Sequence, residues 1–67
     1  MVRLSLKAAR ANADLTQKNV AKRLNIHVQT YRKLEENPDM ATVAQAKKLA
    51  EILQVPYDEI FLHRKST

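Results

Sequence analysis

Gln29 and Lys33 stand four residues apart, the spacing that places two side chains on one face of an α-helix. A glutamine amide donates and accepts together, so it matches adenine N6 and N7. A lysine donates to guanine O6 or N7, or neutralises a phosphate. Arg32 flanks this pair, and Thr30 is placed to bond a phosphate or a base edge. Val28, read as an exposed apolar residue in the first helical turn, suits contact with a thymine methyl. A row of this kind is usually nothing more than a solvated helix face. It becomes a reading surface only where a rigid frame holds it outward.

The neighbouring residues supply such a frame. Thr16 is read as the N-cap of a helix over 17–24, with Val20, Ala21 and Leu24 as its inner stripe. Asn25 stops that helix, at a corner where the backbone often needs a positive φ, and Ile26 turns inward. A further helix covers 28–36, with Tyr31 and Leu34 anchoring the side opposite Gln29 and Lys33. Two short helices joined by Asn25-Ile26-His27 have helix-turn-helix spacing. The start of the first, with Gln17 and Lys18, would aim free N–H groups at a backbone phosphate. His27 would cap the second helix or touch phosphate.

Around this pair the periodicity predicts a helix over 3–12, with Leu6, Ala9 and Ala13 inward. It predicts another from a Thr42-x-x-Gln45 capping box through about 53, with Val43, Ala46, Leu49, Ala50 and Leu53 inward. Pro56 opens a short fifth helix, 57–61. Residues 63–67 read as a frayed tail. The whole, 1–67, reads as one all-α, compact five-helix domain.

Composition narrows the function classes. The chain has 67 residues, no cysteine and no glycine, and a net charge of +5. Residues 1–33 hold eight bases against the single acid Asp14, whereas residues 34–67 carry slightly more acid than base. A basic half beside a mildly acidic one points to a face that attracts a polyanion. Tyr31, Tyr57 and Phe61 are too few and scattered for single-strand stacking. His27 and His63 lie apart with no clustered ligands, so no metal site or other cofactor is expected. The hydroxyls lack a base and an orienting group, so no catalytic residue and no enzyme activity are expected. No apolar run reaches the ~20 residues of a membrane span, and a cytoplasmic location is the expectation.

With these pieces together, "LKAARANADLTQKNVAKRLNI", "TYRKLEEN" and "AKKLAEILQVPYDEIF" resemble the phage-repressor/Cro-like helix-turn-helix family, often called the XRE family. The family's Thr-Gln start, its Ala four residues after the Gln, its apolar residue after the turn and its closing Leu-Glu fall on Thr16-Gln17, Ala21, Ile26 and Leu34-Glu35. The resemblance implies a lambda-repressor-like fold, operator binding to double-stranded DNA as a homodimer, and regulation of transcription. It implies a phosphate contact for Gln17 and base contacts from Val28 to Lys33. Where relatives carry glycine, this chain has Asp14, Asn25 and Asn37, which tolerate left-handed backbone. Its loop after the recognition helix, Asn37-Pro38-Asp39-Met40, lacks a base.

Three further expectations follow. Glu35 lies about 40° from Tyr31 on the helical wheel and Arg10 sits in an apolar arc, so each needs a partner and the two are read as a pair. Ile52, Tyr57 and Leu62 are candidates for a self-association patch. The base-poor loop leaves a second reading open: a protein-interaction module, such as an antirepressor or antitoxin-like partner of another phage regulator.

Overall fold

The structure is a computed structural model, and it describes residues 5–61. The expectations for Leu62, His63 and the 63–67 tail lie outside the described residues. The described chain forms five α-helices: α1 (Leu6–Asn12), α2 (Gln17–Leu24), α3 (Val28–Glu36), α4 (Val43–Leu53) and α5 (Tyr57–Ile60). A 3-10 turn, Pro38–Met40, joins α3 to α4. There is no strand among the described residues. α2 packs against both α3 and α4, and α5 closes on α4.

Each helix contributes small or branched apolar residues to one core. Leu6 and Ala9, Val20 and Ala21, Tyr31 and Leu34, and Ala46, Leu49 and Leu53 are buried, and Ala41, Ile60 and Phe61 complete the set. Burying side chains the size of leucine or phenylalanine contributes about 1.5–3 kcal/mol each. The alanines let α2 approach its neighbours closely, which is why Ala21 is buried in the elbow of α2 and α3.

The helix ends are built by local hydrogen bonds. The Ser5, Thr16 and Thr42 hydroxyls accept from the backbone N–H three residues on. The Asn19 and Gln45 side chains close the boxes of α2 and α4 by accepting from the Thr16 and Thr42 N–H groups. At the C-termini of α1, α2 and α4, the residues Asp14, Asn25 and Gln54 take φ of 62°, 63° and 57°. The next N–H in each case, from Leu15, Ile26 or Val55, reaches the carbonyl five residues back. This is the Schellman pattern, and it turns an apolar residue back onto the core.

Several boundaries and faces differ from the sequence reading. α1 starts at Leu6, not at residue 3, because Ser5 has extended backbone and caps the helix. α5 ends at Ile60 rather than 61. Asn37 has φ −142°, not a left-handed value. The following Pro38 sterically favours extended backbone at the residue before it, and the chain turns through the 3-10 segment instead. Val43 is 59% exposed rather than inward. Helical side chains lean toward the N-terminus, so an apolar residue in the first turn overhangs the end of the core.

Candidate nucleic-acid interface

Gln29, Thr30, Arg32 and Lys33 are exposed on α3, while Tyr31 and Leu34 on its other side are buried. Tyr31 is 0% exposed, so α3 is fixed to the core by an aromatic ring and its polar row faces out. Val28 is half-buried and packs against the core, which corrects its reading as an exposed residue. Part of its surface is still open beside Gln29. His27 occupies the N-cap position of α3 with extended backbone, but its side chain makes no capping bond, contrary to the capping role considered for it. It stays exposed, and the first N–H groups of α3 have no side-chain cap.

Lys18 is exposed in the first turn of α2. It lines a cleft of about 740 Å³ in the elbow between α2 and α3, together with Lys22, His27 and Val28. Lys22 was not singled out in the sequence, although its position four residues after Lys18 was a readable signal. Glu36 was also overlooked. It is exposed and follows Lys33 by three residues, so the outward row runs Gln29, Lys33, Glu36. A carboxylate there can accept from cytosine N4, and it repels phosphate.

The expected partners Arg10 and Glu35 meet. Arg10 Nε donates to Glu35 Oε2, and Arg10 Nη1 donates to the Leu15 carbonyl at 2.9 Å. The side chains are 14% and 7% exposed. Tyr31 donates its hydroxyl to the same Glu35 oxygen at 2.8 Å, and Gln17 Nε2 donates to Glu35 Oε1 at 2.9 Å. Burial by itself disfavours the Glu35 carboxylate. The bonds from Arg10, Gln17 and Tyr31 outweigh burial and hold its pKa below the ordinary carboxylate value. The Glu35 hydrogen bond raises the Arg10 pKa against the opposing effect of burial. Burial first, then the bond to Glu35, pushes the Tyr31 hydroxyl well above its usual range.

Gln17, read as a phosphate contact, is half-buried and doubly engaged. Besides its bond to Glu35, its Oε1 accepts from Arg32 Nε at 3.1 Å. The structure thus links Arg10, Glu35, Gln17 and Arg32 in one chain, running from the core to the α2–α3 surface. Ile52 and Tyr57 are half-buried against the core, and the Tyr57 ring lies 5.6 Å from that of Phe61. The large apolar side chains that stand most open are Met40 and Val43. No group of His, Cys, Asp or Glu among the described residues could hold a metal ion. No helix among the described residues is long and apolar enough to cross a membrane.

A family model for helix-turn-helix proteins matches residues 6–60, which spans α1 to α5. The chain belongs to this family, the XRE kind of helix-turn-helix protein. It is therefore a DNA-binding transcription regulator of that kind, and double-stranded DNA is its partner. No curated protein and no solved structure matches the chain.

Proposed function

We propose that this regulator is a sequence-specific repressor of the phage or prophage Cro type. It binds a two-fold operator as a homodimer, with α3 in the major groove. Gln29 and Lys33 read bases, Val28 and Thr30 add contacts at the edges of that row, and Lys18 and His27 meet the backbone. The observation that carries this reading is the exposed Gln29–Lys33 row on a helix whose opposite side is locked by buried Tyr31 and Leu34. Half-sites about one helical turn, near 34 Å, apart would suit a dimer. Ile52 and Tyr57, with Leu62, are the surface proposed to join the two copies. Selection from random duplexes, followed by affinity against salt, tests this reading. A two-fold consensus bound with a steep salt dependence is expected. Recovery of no consensus, or binding indifferent to salt, contradicts it.

One observation favours a second reading, an antirepressor-like module that engages another regulator. The segment after α3 presents Asp39 and no base, and Met40 and Val43 are 60% and 59% exposed beside it. An apolar, acidic corner suits a protein surface better than a phosphate backbone. A stable complex with another regulator, without any duplex shift by this chain alone, is the result that would favour it.

A further inference from the structure

Arg32 is not part of the Gln29–Lys33 row. On the helical wheel it falls on the flank of α3 between Glu36 and Val28, beside that row, and its bond to Gln17 ties that flank to the start of α2. A glutamine amide can in principle be turned over. Here both neighbours forbid it. Turned over, the Gln17 oxygen would face the Glu35 carboxylate, and the Gln17 amino group would face the Arg32 N–H. Both contacts would become repulsive. Glu35 is itself held by Arg10 and Tyr31. The direction of Arg32 is thereby set from the core.

We infer that Arg32 is a phosphate anchor rather than a base reader, and that Gln17 is the positioning residue that holds it at the α2–α3 seam. Gln17 takes only Nε of the guanidinium. Both terminal nitrogens are without a partner among the described residues, and their planar fork matches two phosphate oxygens. Arg32 and Gln17 line a shallow cleft of about 260 Å³ with Lys7, Glu35 and Glu36. Lys7 and Arg32 stand there against Glu35 and Glu36, and Arg10 pairs with Glu35 from the core side. At the same helix end, the Thr16 hydroxyl takes the Asn19 N–H and leaves those of Gln17 and Lys18 uncapped by it. Lys33, with no such tether, remains in the outward row.

This inference rests on α3 lying in the major groove, and its test keeps the two apart. Affinity is measured against salt for a selected duplex and its single-base-pair variants. The proteins are the wild type, Arg32→Ala, Arg32→Lys, Gln17→Ala and the double variant. A thermal melt of each checks folding, because Arg32 is exposed but Gln17 is half-buried and also donates to Glu35. Arg32→Ala is expected to lower the logarithmic salt slope by about 0.9. It should weaken every duplex alike, by roughly tenfold, with base preferences unchanged. Arg32→Lys should restore the slope and only part of the affinity. In the Gln17→Ala background, Arg32→Ala should cost distinctly less. A changed preference at one base pair with the slope intact overturns the phosphate role. Equal costs in both backgrounds overturn the positioning by Gln17. A wild-type protein that binds no selected duplex overturns the groove reading itself, and this inference with it.

Discussion

At the scale of single residues, Glu35 decides most. It accepts from Arg10, Gln17 and Tyr31 and so joins three helices through one carboxylate. Removing one member of a buried ion pair strands the other, which typically costs 3–5 kcal/mol. Because both side chains keep a little solvent, Arg10→Ala is expected to lower stability by about 3 kcal/mol, at the low end of that range, as read by chemical denaturation. The same cluster sets the pH limits. The Glu35 pKa is lower in the folded than in the unfolded chain, so its contribution is complete above the unfolded carboxylate value. It is lost as pH falls through the folded value. The Tyr31 pKa is higher in the folded chain, so that contribution is complete below about pH 10. It is lost as pH rises further. Thermal melts should show the acid loss diminished in Glu35→Gln and the alkaline loss diminished in Tyr31→Phe; unchanged profiles would contradict the assignment. The Arg10–Glu35 pair was legible because both charges fall on apolar arcs of their helices. Gln17 joining it was not, since nothing in local spacing brings a residue at the start of α2 to the end of α3.

At the scale of elements, the chain makes its corners without glycine. Asp14 and Asn25 suit left-handed backbone, and Thr16 and Asn25 mark both ends of α2 in the sequence. Gln54 is the harder case, with φ 57° and no short polar side chain to ease it. Gln54→Gly is therefore expected to stabilise the fold by about 0.5 kcal/mol, the relief of the left-handed cost less the added freedom of the unfolded chain. A lower melting temperature would show that the corner is not strained. Gln54 escaped the sequence reading because glutamine gives no turn signal, whereas the Schellman geometry depends on Val55 reaching the core. Asn37 erred the other way, as a turn residue whose backbone is governed by the proline after it. The box at Thr16 was half-legible, since Asn19 stands where glutamate or glutamine is the usual sign.

At the scale of the whole molecule, sequence order becomes surface. Among the described residues, α1 to α3 carry Lys7, Arg10, Lys18, Lys22, Arg23, Arg32 and Lys33, and Lys7, Lys18, Lys22, Arg32 and Lys33 are all exposed. Asp39 and the acids of α5 lie beyond α3 in the chain, while Glu36 closes α3 itself. Groove reading and backbone contact should separate in binding experiments. Lys18→Ala is expected to weaken all duplexes alike and to flatten the salt slope. Gln29→Ala should cost about 1–3 kcal/mol on the selected duplex and little on variants at the base pair it reads. Equal losses on every duplex would assign Gln29 to the backbone. The five-helix class was legible because each amphipathic segment had its own stop signal. Which apolar residues stay open was not, because Val43 and Ile52 are distinguished by packing at the ends of α4 rather than by hydrophobicity.

The most direct test of the outward reading helix is amide chemical-shift mapping as the selected duplex is added to labelled protein. The largest changes should fall on residues 28–33 and on the first turn of α2, with α4 and α5 perturbed only where copies meet. Changes concentrated on α4 and α5, with residues 28–33 unmoved, would contradict the account.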